Sequence, residues 1–393
     1  MASSVGIVAV GLSALLSSAP DLTTLQEQIA DAVVSHDFAA LSRASEALAS
    51  FPEYAVSASA LRDFAALGQA GESASSRCLD RSASGGSRYY AELSRLLERS
   101  LRFHDAADCL VSAAALESTP SRRLGAARGL LRAGRDAEAA SLLAPGEEPD
   151  LRADAERLAA RVEVQSARWP ALRWSASGDD AAAFGAEVEG AYTVFADATG
   201  RRLTGGLRVE RLDAALRRRV RFGDAPSAGA VGVTVGNLVS VEEGLPPEVE
   251  REVIWHEMAH AFADEEMPYG GSPWLSEAVA FAWSRSLRPE FDGGESATVT
   301  VGRDWLTGLA ASDVARLSGD GRAARDGLAA WVGRWFSDRF GVAALRAAYR
   351  LTGRGIASDR ALAEASGLSR EALTNALLNE APRLSRPTGR TGP

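Results

Sequence analysis

The chain has 393 residues and a formal net charge of −9, and its 43 basic residues are all arginine. Hydrophobic residues make up 46% of the chain, which is enough for the cores of two or three domains. An acidic chain whose arginine clusters lack interleaved aromatic residues is not typical of a nucleic-acid-binding protein. We therefore expect no nucleic-acid partner. The clusters Arg201-Arg202 and Arg217-Arg218-Arg219 could attract an acidic partner, but we interpret them as a solvated surface.

Residues 1–20 form an apolar N-terminal segment. It is uncharged from Val5 to Leu16 and ends in Ser17-Ser18-Ala19, which matches the core of a signal peptide and is too short to span a membrane. We therefore predict export to the periplasm or the medium, and no transmembrane segment. No arginine precedes Val5, and Pro20 directly follows Ala19, so a cytoplasmic protein with an N-terminal helix is the alternative.

Residues 21–165 are predicted to be helical repeats. His36-Asp37 and His104-Asp105 each precede an alanine-rich stretch, and the two aspartates are 68 residues apart. This spacing is twice the 34-residue period of tetratricopeptide repeats, so the segment resembles a short, degenerate array of that kind. The resemblance implies stacked helix pairs with a concave surface that could bind a protein partner; alternatively the array only braces the second half. Both histidines occupy equivalent repeat turns, and we interpret them as structural.

Two cysteines, Cys78 and Cys109, lie in this predicted array. Their separation lacks the close-pair spacing of a zinc site. They could form a disulfide if neighbouring helices bring them together, or simply pack as buried thiols.

Residues 166–382 are predicted to form a second domain that contains both helices and strands. Residues 383–393 are predicted to form a disordered tail rich in Pro, Gly and Arg. Segments with alternating hydrophobicity predict strands, and Gly236-Asn237 between two of them predicts a hairpin. Together they predict an α+β, mostly α fold with a small mixed sheet. The predicted strands are 172–175, 207–210, 231–235 and 238–241, and the predicted helices are 181–199, 331–340, 342–349 and one or two within 361–378.

The most informative stretch is His256-Glu257-Met258-Ala259-His260. Pro246 and Pro247 suit the start of a helix, and on that helix the two histidines lie one turn apart, so both imidazoles can bind one ion. Glu257 lies beside the same face and could take a proton from a metal-bound water. The competing interpretation is a core helix with two structural histidines and no metal.

A zinc site needs a third protein ligand and an open position for water. No histidine follows His260, so the ligand has to be a carboxylate. Glu277 lies seventeen residues further on, in a second predicted helix that starts at Pro273 and runs antiparallel to the first. Its neighbours are apolar, and a carboxylate among them would be costly to bury without a cation. The sequence therefore predicts a Zn²⁺ site formed by His256, His260 and Glu277.

The His-Glu-x-x-His motif followed by Trp274-Leu275-Ser276-Glu277 and Ala280 resembles the gluzincin metallopeptidases, in particular the bacterial peptidase-MA-like domains. The resemblance covers about Trp169 to Pro382. It implies that the two histidines and Glu277 bind zinc, that Glu257 is the general base, and that the sheet edge beside the motif helix binds the backbone of a peptide or protein substrate.

The chain departs from the family pattern at two places. Phe281 stands where many gluzincins carry an acid that orients a ligand histidine. The region around Arg325 lacks the tyrosine or histidine that stabilises the oxyanion, which leaves Arg325, Tyr192, Tyr269 and Tyr349 as candidates. The predicted function is a zinc-dependent peptidase in which Glu257 deprotonates a metal-activated water. The alternative is a weakly active or inactive zinc-binding scaffold whose repeats bind a protein partner.

Overall fold

The structure, a computed structural model, describes residues 21–35, 37–100, 102–203, 206–222, 230–267, 272–290 and 320–380. The predictions for the N-terminal segment, the C-terminal tail, His36 and Tyr269 lie outside these residues. The described chain is mainly α-helical and contains one small mixed β-sheet, which confirms the predicted α+β, mostly α class.

Consecutive helices form the first part of the described chain. Asp37 caps the second helix, since its Oδ1 accepts a hydrogen bond of 2.8 Å from the amide of Ala40. The third helix ends at Gly71, whose φ of +68° is the left-handed conformation that glycine adopts readily. These helices are α1 Leu22–Ser35, α2 Phe38–Leu48, α3 Ala55–Ala70, α4 Ser75–Asp80, α5 Gly86–Arg99, α6 Phe103–Leu116, α7 Pro120–Arg132, α8 Asp136–Leu142 and α9 Pro149–Ala159.

The nine helices vary from six residues in α4 to sixteen in α3. The tetratricopeptide-like interpretation of this region stays a prediction, as does the division of the chain at residues 165 and 166.

Cys78 and Cys109 form a disulfide between α4 and α6, with their Cα atoms 4.6 Å apart. Both cysteines are fully buried in the hydrophobic core that helices α1 to α6 share. Of the two alternatives that the sequence left open, the structure has the paired one.

The second part of the described chain contains a five-stranded sheet in the order β1-β2-β3-β5-β4. Strands β2, β3 and β5 are parallel, whereas β1 and β4 run antiparallel to their neighbours. Gly236 has a φ of +58° and forms the predicted hairpin turn between β4 and β5. The elements are β1 Val164–Gln165, β2 Leu172–Ser175, helix α10 Ala181–Thr199, β3 Leu207–Leu212, the short helix α11 Ala214–Arg217 with a π-helical turn Arg218–Phe222, β4 Gly232–Val235 and β5 Leu238–Glu242.

Helices cover one face of this sheet and continue beyond it. Tyr192 and Phe195 of α10 contact Phe262 of the motif helix α12, with ring centroids 5.3 and 5.6 Å apart. Gly341, with a φ of +82°, separates two helices as predicted. The helices are α12 Pro247–Glu265, α13 Pro273–Leu287, α14 Asp320–Phe340, α15 Val342–Thr352, α16 Ser358–Ser366 and α17 Arg370–Glu380.

The helical part contacts the sheet through a buried group of charged side chains. Arg221 is fully buried and donates to Glu210 of β3 at 2.6 Å and to Asp136 of α8 at 2.8 Å. Arg208 of β3 also donates to Asp136, at 2.7 Å. One apolar cluster joins Leu130 and its neighbours on the helices to Leu212, Leu216 and Val220 beside the sheet. The helices of the first part therefore pack against the sheet of the second part through both charged and apolar side chains.

None of the described helices has both the length and the apolar character needed to cross a membrane.

Candidate metal centre

The three predicted ligands lie on two neighbouring helices. Helix α12 begins with Pro247, carries Glu248 and Glu250 in its first turn where the helix dipole favours negative charge, and presents His256 and His260 one turn apart. Helix α13 begins at Pro273 and runs antiparallel to it, because His260 contacts Ser276 whereas His256 contacts Glu277 and Phe281.

The donor atoms of these ligands are spaced as a metal site requires. Nε2 of His256 lies 3.2 Å from Nε2 of His260 and 3.2 Å from Oε2 of Glu277, and Nε2 of His260 lies 3.5 Å from that same oxygen. A tetrahedral zinc site with bonds of about 2.0–2.1 Å separates neighbouring donors by about 3.3–3.4 Å. The donor set and its spacing therefore fit a tetrahedral zinc ion that retains one open position.

Electrostatics at the centre favour a bound positive charge. Burial disfavours the carboxylate of Glu277, but the two imidazoles outweigh burial and hold its pKa well below the usual range. Burial likewise disfavours protonated His260, but Glu277 outweighs it and raises the pKa of His260 to about 9. The proton held by His260 supplies the positive charge that a divalent cation would supply in its place.

The two histidines have different supporting contacts. Nδ1 of His260 lies 3.0 Å from Oγ of Ser276, which can fix the orientation and tautomer of the ring. Nδ1 of His256 is buried and has no hydrogen-bond partner among the described residues. The ring centroids of Phe281 and His256 are 4.4 Å apart. Sequence reasoning singled out Phe281 but missed Ser276, although Ser276 directly precedes the predicted ligand Glu277.

Glu257 is part of α12, and its side chain contacts the edge strand β4. Its side chain is buried, with 7% of its surface exposed. Oε2 of Glu257 accepts a hydrogen bond of 2.8 Å from the hydroxyl of Thr234. Sequence reasoning did not find Thr234, because only the tertiary structure brings β4 against this turn of the helix.

The candidates for oxyanion stabilisation have other contacts. The hydroxyl of Tyr349 donates to Oδ1 of Asp264 at 2.9 Å, and that of Tyr192 accepts from the amide of Leu203 at 3.3 Å. Both tyrosines are buried. Tyr269 and the side chain of Arg325 lie outside the described residues. The hydroxyls of both described tyrosines therefore have hydrogen-bond partners other than the three predicted ligands.

His104 lies outside the centre but touches the same hairpin. Its Cδ2 atom would be 3.0 Å from a Cβ atom added to Gly236, so the start of α6 packs against the β4–β5 turn. Burial lowers the pKa of His104.

The chain matches no family model, no curated protein sequence and no solved structure. Its functional interpretation therefore depends on its own residues. The geometry brings together three side chains that could bind a metal ion, a buried carboxylate next to one of them in the chain and an edge strand beside that carboxylate.

Proposed function

We propose that the chain is a zinc-dependent peptidase of the gluzincin type, in which His256, His260 and Glu277 hold the ion and Glu257 is the general base. The observation that carries this proposal is the spacing of the three donor atoms, at 3.2, 3.2 and 3.5 Å from one another. Two aligned helices position these donors, and no rearrangement of either helix is needed to bind zinc.

Zinc in such a site would polarise the scissile carbonyl and lower the pKa of a coordinated water. Glu257 accepts the proton of the attacking water and returns it to the leaving amine. Strand β4 pairs with β5 on one side, and no described strand pairs with its other side. The open side offers backbone hydrogen bonds that would hold an extended peptide substrate.

Replacing Glu257 tests the role of the base. We expect Glu257→Gln to retain one zinc ion per chain by elemental analysis and to lose about 10²–10⁴-fold in chelator-sensitive cleavage of a diverse peptide library. Glu248→Gln is the matched control, because Glu248 is exposed in the first turn of the same helix. Full activity of Glu257→Gln would exclude this residue as the base, and loss of zinc from that variant would indicate a structural role instead.

A second candidate function is a zinc-binding scaffold without turnover, whose helical array binds a protein partner. Two observations favour it: the aromatic ring of Phe281 lies against His256, and Tyr192 and Tyr349 are engaged elsewhere. Incubating zinc-loaded protein with the peptide library, with and without chelator, separates the two functions. Bound zinc without any cleavage favours the scaffold.

We also propose that the protein is exported, with a cytoplasmic location as the alternative. The disulfide between Cys78 and Cys109 supports export, because disulfides persist mainly in oxidising compartments. Because both cysteines are buried, free thiols are alkylated in denaturant directly after the cells are quenched in acid, and mass spectrometry then tests this proposal. Two alkylated cysteines in the native protein would contradict it.

A further inference from the structure

The structure places both oxygens of the Glu257 carboxylate against one short strand. Oε2 lies 2.8 Å from the hydroxyl oxygen of Thr234, and Oε1 would be 2.6 Å from a Cβ atom added to Gly232. Gly232 and Thr234 are two positions apart on β4, so they face the same side of the sheet. One face of the edge strand therefore binds one oxygen of the carboxylate through Thr234 and leaves room for the other at Gly232.

We propose that Thr234 is a positioning residue for the general base and that Gly232 provides the space this position requires. The inference rests on the proposed peptidase function and deepens it. The hydroxyl of Thr234 has one proton, and two acceptors of Glu257 are within reach: carboxylate Oε2 at 2.8 Å and the backbone oxygen at 2.9 Å. A hydrogen bond to an ionised carboxylate is the stronger of the two.

The side chain of Thr234 is suited to this role. A β-branched residue on a strand has few χ1 rotamers, so its hydroxyl points in a defined direction before substrate binds. The antiparallel pairing of Thr234 with Val239 of β5 fixes the strand itself. The hydroxyl of Thr234 thereby acts on the carboxylate of Glu257 itself.

Gly232 acts from the other side of the carboxylate. A Cβ atom at this position would lie 2.6 Å from Oε1 of Glu257 and 2.6 Å from Cγ1 of Val253, and either approach is too short for two unbonded atoms. An alanine would therefore displace the side chains of both Glu257 and Val253. Gly190 of α10 is the matched control, because a Cβ atom there meets nothing within 4 Å.

The test compares full-length, zinc-loaded variants by steady-state kinetics. We expect Thr234→Val to lower kcat about ten- to a hundredfold with KM and zinc content unchanged, because a hydrogen bond to a charged group is lost. Thr234→Ser should restore most of this activity, and Gly232→Ala should lower kcat whereas Gly190→Ala should not. Ser240→Ala is the control for deleting a hydroxyl from the sheet, because the buried hydroxyl of Ser240 has no hydrogen-bond partner among the described residues.

Three kinetic outcomes would overturn the inference: parental kcat in Thr234→Val, a change in KM alone, or an equal loss of kcat in Ser240→Ala. Thermal unfolding supplies a measurement that does not need turnover. Thr234→Val should lower the midpoint temperature more in the parent than in a Glu257→Ala background, and equal shifts in both would overturn the contact itself. A zinc-loaded parent without peptidase activity would overturn the proposed function, and this result is distinct from equal thermal shifts.

Discussion

Replacing Ser276 by alanine is expected to weaken zinc binding although it removes no ligand. Nδ1 of His260 lies 3.0 Å from the Ser276 hydroxyl, and if Nε2 binds the proposed ion, Nδ1 carries the proton and donates to that oxygen. Losing an outer partner of this kind typically costs about 10–100-fold in metal affinity, or about 1.4–2.7 kcal/mol. Ser276 is partly exposed, so water can replace some of the lost contact. We therefore expect a loss in the lower half of that range.

The assay is competition for zinc between the full-length protein and a chromophoric chelator at neutral pH. Ser284→Ala is the matched control, because Ser284 lies on the same helix and its hydroxyl donates to the carbonyl of Ala280 at 2.7 Å. An unchanged Kd for Ser276→Ala, or an equal loss in Ser284→Ala, would refute the role of Ser276 in orienting His260.

Three further predictions concern the centre and the helical array. Phe281→Glu offers an acceptor to buried Nδ1 of His256 and should tighten zinc binding about tenfold in the same competition assay, whereas Phe281→Leu should not. Burial opposes the ionised form of Asp136, but Arg221 outweighs burial and lowers the pKa of this carboxyl. The carboxylate therefore stabilises the fold above its unfolded pKa of about 3.9, and this stabilisation is lost as the pH falls further. Urea unfolding should therefore show stability that is level down to about pH 5 and falls below about pH 4, with a shallower fall in Asp136→Asn; parallel pH curves would contradict this. Reducing the disulfide, whose cysteines are 31 residues apart, should lower the free energy of unfolding by about 3–4 kcal/mol while zinc content stays constant, and an unchanged unfolding midpoint would contradict the prediction.

Local features of the sequence were sufficient for much of the fold around the centre. Alternating hydrophobicity placed the strands, and Gly236-Asn237 placed the hairpin turn, because both signals depend on residues only two positions apart. The four-residue spacing of His256 and His260 likewise places their rings one turn apart on any helix that contains them. For the same reason the helix boundaries at Pro247, Pro273 and Gly341 could be read from the chain.

Only the tertiary structure decided which groups meet across these elements. The distance between Glu277 and the two imidazoles depends on how α13 lies against α12, and the contact between Thr234 and Glu257 depends on how the sheet edge lies against the same helix. The pairing of Cys78 with Cys109 depends on the packing of α4 against α6. Such contacts join residues 16 to 31 positions apart, and one turn or strand register more or less would separate them. The sequence pattern could indicate Glu277 as a partner of the two histidines. Periodicity describes a single element, however, and the distances between elements are set by the packing of complete apolar faces.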